Sequence, residues 1–357
     1  MSKLPLFPAS AIGSIPRPQF VLDLIMAEEE PEDYREKMEA AIRYNVAMQE
    51  HAGLDILTDG EWGRKSYIGV IAELAHGFEE SINPDDGRPW TVVTEKLSPK
   101  TPGFIAKEAT FLKSITNRGI KSTLPSPALL GERMWDKKAS SRAYPNRDDF
   151  VRDCVPILRK ELELLKEAGA TIVQIDDPHL CLFVDPEVRK TFDNPERASD
   201  FAVDMVNEMV DGIDGIKLAI HLCKRAGARV RGEKQHEGGY GPIIKQLNNL
   251  KVHHLTMEFT APGSGDMAVF KQIREDFEIG LGCVSCTPGQ VDKPDVIVAR
   301  VKQALAYLAP ERIHLNPDCG FAPGSAAKVE MDEVYQKLKY EAEASRLLRE
   351  EFGTQGI

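Results

Sequence analysis

The chain has 357 residues, 42% hydrophobic and 28% charged, with 27 Gly and 23 Pro, an ordinary globular balance long enough for one large domain. Its 45 basic and 56 acidic residues leave a formal net charge of −11, which excludes a basic field able to gather nucleic acid or an anionic membrane. With no secretory apolar run behind Met1, nothing near the roughly 20 apolar residues of a membrane span, and six scattered cysteines, a cytoplasmic protein with reduced thiols is expected.

In chain order, eight short β-like runs each end in a polar or Gly-containing turn: Ala11–Ser14, Asp55–Thr58, Lys121–Pro125, Thr171–Asp176, Lys217–Leu222, His254–Glu258, Glu278–Val284 and Ile313–Asn316. Most are apolar at consecutive positions, which suits strands covered on the outside by helices. Helical patterns lie between them, clearest at Pro31–His51, Asp148–Ala168, Ala198–Gly212, Pro294–Leu308 and Met331–Glu350. In the second of these, Leu158, Leu162 and Leu165 make an apolar stripe and Gly169 supplies the stop. This alternation, with no Pro/Ser-rich linker, predicts an α/β fold: a (β/α)8 TIM barrel, residues 1–357 forming a single catalytic domain, with an inserted excursion around residues 65–120. A doubly wound open sheet is the alternative, but no Gly-x-Gly-x-x-Gly follows an early strand.

The active site of such a barrel lies at the C-terminal ends of its strands. Ser14, Glu61, Asp176, His221, Cys223, Glu258 and Cys319 all fall at or just after the ends of the proposed strands. His221 and Cys223, two residues apart on a strand, share a face. Glu258 sits among Leu255, Met257 and Phe259, where a carboxylate is costly unless paired or metal-bound. Cys319 lies in the turn Asn316-Pro317-Asp318-Cys319-Gly320. Thiolate, imidazole and carboxylate are zinc donors, so these four make a candidate Zn2+ site. Each residue alone reads better as a satisfied core histidine, a buried thiol or a paired acid. Their grouping at successive strand ends favours the metal. Cys283-Val284-Ser285-Cys286 also has metal spacing, but it has no second Cys-x-x-Cys to pair with and is the weaker candidate.

Several segments resemble the catalytic domain of cobalamin-independent methionine synthase: Ile12-Gly13-Ser14-Ile15-Pro16, Asp59-Gly60-Glu61, Gln174-Ile175-Asp176-Asp177-Pro178, His221-Leu222-Cys223, Met257-Glu258-Phe259 and Asn316-Pro317-Asp318-Cys319-Gly320. They run in the family's order over essentially the whole chain, without the additional N-terminal barrel of the long members. The resemblance implies that His221, Cys223, Glu258 and Cys319 bind a catalytic zinc. It also implies that Ser14 and the Ile12 backbone hold the carboxylate of homocysteine, and that Glu61 and Asp176 take its ammonium group. The implied reaction methylates the homocysteine thiol to give methionine. A free thiol, with a pKa of roughly 8.5, is mostly protonated at neutral pH, and zinc makes it a thiolate. No catalytic residue beyond the zinc site is assigned.

The match departs on the donor side. Folate-using members carry an Asp and a His in the loop after the seventh strand, where this chain reads Gly282-Cys283-Val284-Ser285-Cys286-Thr287-Pro288. The aromatic residue that stacks on the pterin has no counterpart around Thr123–Pro127, and Trp135 sits in a different local pattern. Without an acid to protonate the leaving nitrogen, methyltetrahydrofolate would be a slow donor, so a corrinoid or other non-folate methyl-carrier protein is the favoured partner. The polar, Gly-rich loop Arg231–Gly241 reads as a lid, a docking surface or an ordinary flexible loop, and His236 is its one spare imidazole. Basic residues from Lys224 to Arg231 read as a solvated stretch. Competing functions are alkyl transfer to another thiol such as coenzyme M, which offers no ammonium to Glu61 and Asp176, a zinc hydrolase, which needs an open metal position, and a structural zinc domain.

Overall fold

The computed structural model describes residues 4–27, 31–82, 89–224, 236–322 and 329–353. Residues 225–235, which hold nearly all of the basic stretch and the first part of the 231–241 loop, lie outside the described residues.

The chain opens in the barrel wall. Ser10 N donates to Leu315 O at 3.2 Å, Leu315 N to Pro8 O at 2.9 Å, and Asp55 N to Ala9 O at 3.0 Å. Then come α1 (Gln19–Ile25), α2 (Tyr34–Ala52), β1 (Ile56–Leu57), α3 (Ile71–Leu74), and the antiparallel hairpin β2 (Ala75–Ile82) and β3 (Pro89–Pro99). α4 (Phe104–Ile115) precedes β4 (Gly119–Pro125), and α5 (Pro127–Met134), α6 (Lys137–Ser140) and α7 (Arg147–Glu167) precede β5 (Ile172–Asp176). α8 (Pro186–Arg189) and α9 (Pro195–Val210) lead to β6 (Lys217–Leu222), and α10 (Ile244–Asn249) to β7 (His254–Glu258). β8 (Glu278–Val284), α11 (Pro294–Ala304), β9 (Ile313–Pro317) and α12 (Met331–Phe352) complete the order.

The main sheet runs β1-β4-β5-β6-β7-β8-β9, and every pair in it is parallel. Parallel bridges from Ala9 to Leu315 and from Ser10 to Ile56 join its two edges. That closes a (β/α)8 barrel with no open edge. The first wall segment is therefore residues 8–10, and 11–14 belong to the rim, where the backbone has already left the sheet. The excursion after residue 65 is the β2–β3 hairpin, tied down by Trp90 Nε1 donating to Arg133 O (2.6 Å) and Leu97 N to Tyr144 OH (2.9 Å). α4 already belongs to the outer ring, packing on β4 and α7.

The helices form for local reasons. α7 buries Phe150, Val151, Cys154, Val155, Leu158, Leu162 and Leu165 at three- and four-residue spacing, each large apolar side chain contributing roughly 1.5–3 kcal/mol. Asn146 caps it by accepting from Asp149 N at 3.0 Å, and Gly169 ends it at φ 81°.

The strands alternate rather than being apolar throughout. On β5, Val173 and Ile175 join the layer beneath the helices, while Ile172 sits in a separate small cluster with Ile56 and Ala219 inside the barrel. Partners in register with that inner layer are polar or small: Lys121, Thr123, Gln174, Asp176, Lys217, His221, His254, Thr256, Glu278, Gly280, His314 and Asn316. Buried polar groups need partners, and Lys121 Nζ, for example, donates to Ser10 Oγ and Ala11 O, both at 2.8 Å. No helix among the described residues is long and apolar enough to cross a membrane.

Candidate metal centre

The parallel register brings the exits of β6, β7 and β9 together. His221 is on β6 and Cys223 just beyond its end, Glu258 closes β7, and Cys319 follows β9 by two residues. All four are buried, and one ligand atom from each lies within 4.8 Å of every other. The sulfurs of Cys223 and Cys319 are 3.4 Å apart. His221 points Nδ1 at Asp176 Oδ1 (3.2 Å), while its Nε2 is buried with no hydrogen-bond partner. A carboxylate behind one imidazole nitrogen, with the other turned into a cluster of sulfur and oxygen donors, is how metal-binding histidines are oriented. Burial, then the neighbouring Cys223 and Asp318, pushes the Glu258 carboxyl well above the usual range. The hydrogen bond with Cys223, then burial, pushes the Cys319 thiol up. Anionic ligands this close in a dry site repel, and a cation among them would remove the repulsion.

The loops carrying these ligands are tied to one another. Asp318 Oδ1 accepts from Phe259 N (2.9 Å) and Thr260 N (3.1 Å), and Oδ2 from Thr260 Oγ1, linking the exits of β9 and β7. Tyr240 OH accepts from Glu258 N at 2.8 Å and donates to Leu222 O at 3.2 Å. Glu258 Oε1 accepts from Lys224 N at 2.8 Å. Lys224 is not solvated as its basic sequence context suggested. It is fully buried, with Nζ donating to Ser264 O (2.8 Å) and Gly238 O (3.3 Å) and lying over the Tyr240 ring.

Ile12, Ser14, Glu61 and Asp176 are buried around the same mouth. Ser14 O accepts from Phe321 N at 3.0 Å, and Ser14 Oγ packs so closely on Gly320 that a Cβ there would lie 2.2 Å away. Glu61 adopts φ 60°, unusual for a residue with a side chain, and is held by Asp59 Oδ1 on its N–H (2.9 Å) and Arg17 Nη2 on its carbonyl (2.6 Å). Its Oε1 accepts from Thr123 Oγ1 at 2.8 Å. Burial pushes its carboxyl up to about 7, with Arg64 opposing and Asp176 reinforcing the rise.

Sequence reasoning missed several residues here. Arg64 is buried and braces the Glu61 side of the mouth, donating from Nη1 to Thr123 O (2.9 Å) and from Nε to Glu108 Oε2 (2.9 Å). Burial raises the Tyr67 phenol above its usual value, with Arg133 opposing and Cys223, Asp176 and Cys319 reinforcing the rise. The pair Asp59 and Arg64 flanking Glu61 was the available signal: a cation and two acids within six residues at a strand end.

Cys283 and Cys286 are buried and stand outside the four-ligand group, although Cys286 is close enough to Cys319 to raise its pKa. Their loop is held by Lys337 Nζ on Ser285 O (3.0 Å) and Thr287 O (2.6 Å). His236 Nδ1 faces Asp185 at 3.8 Å, and Trp135 Nε1 donates to Tyr144 O at 3.0 Å.

The family described as "Cobalamin-independent synthase, Catalytic domain" matches residues 7–346. A methionine synthase of Saccharolobus solfataricus is 30% identical over 368 residues, covering 100% of this chain and 99% of the relative. One from Pyrococcus abyssi is 28% identical over 366 residues, covering 99% and 96%. The solved B12-independent methionine synthase of Shewanella sp. W3-18-1, in complex with selenomethionine, superposes with a TM-score of 0.82 at 20% identity, covering 98% of this chain and 99% of that one. The chain belongs to the cobalamin-independent synthase family, matching its catalytic domain along almost its whole length.

Proposed function

We propose that this protein is a zinc-dependent methyltransferase that methylates the thiol of L-homocysteine to give L-methionine, residues 1–357 acting as a single catalytic barrel in the cytoplasm. The observation that carries the proposal is the buried His221, Cys223, Glu258 and Cys319 cluster, with its open Nε2, beside the carboxylates of Glu61 and Asp176. Membership of the family and relatives named methionine synthase support the reaction class. Two thiols, an imidazole and a carboxylate suit zinc better than a hard cation such as magnesium. Zinc bound there would lower the pKa of a substrate thiol and hold it as a thiolate at neutral pH.

The chain's own residues do the rest. Glu61 and Asp176 pair with the ammonium of the amino acid, and Ser14 Oγ with the Ile12 backbone receives its carboxylate. Thr123 fixes the Glu61 carboxylate, and Arg64 fixes Thr123. Asp176 also holds the His221 ring in one orientation. Burial of every one of these groups excludes water, so the sulfur meets the methyl group without competing solvent. The S–CH3 bond forms as the donor–CH3 bond breaks, and that bond's electron pair leaves with the donor.

A non-folate donor, such as a methyl-corrinoid protein, fits this chain better than methyltetrahydrofolate. The end of β8 and the loop after it offer Cys283, Ser285 and Cys286 where an acid would protonate a leaving nitrogen, and the loop's Asp292 is taken up by Arg300 at 3.2 Å. The test is to supply zinc-loaded protein and homocysteine with methylcobalamin or methyltetrahydrofolate and quantify methionine by mass spectrometry. Faster formation with methylcobalamin is expected. No methionine from any donor, with zinc bound, would refute the reaction.

A further inference from the structure

A second group of metal-ligand side chains lies at the opposite end of the barrel. His254 opens β7, Glu278 opens β8 and His314 is the second residue of β9, so all three sit at strand N-termini, far along the wall from Glu258 and Cys319. His254 and Glu278 are direct partners in register, and His314 pairs with Gly280 one inward step along. One ligand atom from each of the three lies within 4.8 Å of the others. His314 Nε2 is 2.7 Å from Glu278 Oε2, and the two imidazoles meet edge to face with centroids 4.7 Å apart.

Two observations favour a ligand over a simple brace. His254 is 97% buried, yet its Nδ1 has no hydrogen-bond partner and faces Glu278 Oε2 at 3.8 Å, beyond hydrogen-bond reach. A brace would pair that nitrogen, because a buried polar atom left alone costs about 1–3 kcal/mol. The carboxylate, by contrast, is 29% exposed, so an ion can arrive from solvent. Glu278 also holds the Lys217 ammonium on Oε2, and the Lys217 side chain is itself 22% exposed.

We propose that His254, Glu278 and His314 form a second, solvent-accessible site for a divalent transition-metal ion of zinc's borderline class, with Lys217 competing for the carboxylate. Two imidazoles and one carboxylate leave water in the remaining position. The inference is independent of the thiol-bearing centre, which shares no residue with it.

Cobalt(II) titration of the full chain, followed by visible absorption, separates the two sites. Ion bound by Cys223 and Cys319 gives thiolate-to-metal charge transfer, and ion bound by imidazole and carboxylate gives ligand-field bands alone. Two equivalents are expected, the second without a thiolate band. Glu278→Gln and His314→Ala should each lose the second equivalent and keep the first, whose thiolate band also reports that the barrel has folded. Lys217→Ala should tighten the second equivalent roughly tenfold or more, since it removes a competing charge at contact distance. Uptake of a single equivalent by the unaltered chain, a second equivalent that survives in both ligand variants, or no tightening in Lys217→Ala would overturn the proposal. Loss of the thiolate band alone would count against the first centre and leave this one standing.

Discussion

Glu61 concentrates the chemistry of the mouth in one residue. Its left-handed backbone costs about 1–2 kcal/mol, which Asp59 and Arg17 offset by gripping its N–H and carbonyl. Its carboxyl, raised by burial to about 7, is protonated below that pH in the ligand-free protein, and a neutral acid cannot pair with an ammonium. Affinity for methionine, which has no thiol to titrate, should therefore fall by about tenfold per pH unit below 7. Calorimetry across pH 5–8 would measure it, about the window over which the group changes charge, and Glu61→Gln should bind weakly at every pH. Gly13→Ala should act on the same step, because its Cβ would lie 2.6 Å from Glu61 Oε1 and 2.9 Å from Thr123 Cγ2. It should weaken methionine binding and leave bound metal unchanged, as read by elemental analysis. Cys319→Ser should lose the metal and the activity while circular dichroism stays that of a folded barrel. The grouping of His221, Cys223, Glu258 and Cys319 was legible in the sequence, because all four fall at the ends of successive strands, which parallel register brings to one level. Arg64 and Lys224 were not. Their burial rests on Glu108, Thr123, Ser264 and Gly238, partners 14 to 59 residues away.

At the scale of elements, the register of parallel strands does the positioning. Asp176 pairs with His221, His221 with Thr256, and Glu258 with Gly282, so the exits of neighbouring strands arrive at one level. Gly282 has no side chain because Asp318 Oδ1 and Met257 O occupy that space, at 2.5 and 2.6 Å from where a Cβ would be. Asp318 is then the clasp between the Glu258 and Cys319 loops. Asp318→Asn keeps its size but loses an acceptor, and it should weaken metal affinity by about 10–100-fold, the usual scale for a residue that orients ligands. Competition with a chromophoric chelator would check this. The long helices were readable from their apolar spacing, α7 and α12 to within two residues at either end. Residues 8–10 were not readable as a wall segment. Only three residues carry the pairing, and their apolar neighbours at 11, 12 and 15 make the stronger local pattern.

The whole molecule is closed by its two ends. Glu341 accepts from Ser10 N at 3.0 Å, Arg349 Nε donates to Leu6 O at 2.6 Å and pairs with Asp55, and Lys337 reaches the loop after β8. α12 thus fastens the first wall segment to the last strands. Leu348, fully buried on that helix, should cost about 2–5 kcal/mol of unfolding free energy when replaced by Ala, read in a denaturant titration. The molecules that remain folded should keep their metal, since none of His221, Cys223, Glu258 and Cys319 lies on that helix. The polar barrel interior is where the composition gave no warning. The central claim is that the mouth holds zinc through Cys223 and Cys319 in order to take a substrate thiol. X-ray absorption at the zinc edge, without and with homocysteine, tests it most directly. Two sulfurs around zinc in the resting protein, rising to three when homocysteine is added, is the expected result; a sulfur count that homocysteine leaves unchanged would contradict the account.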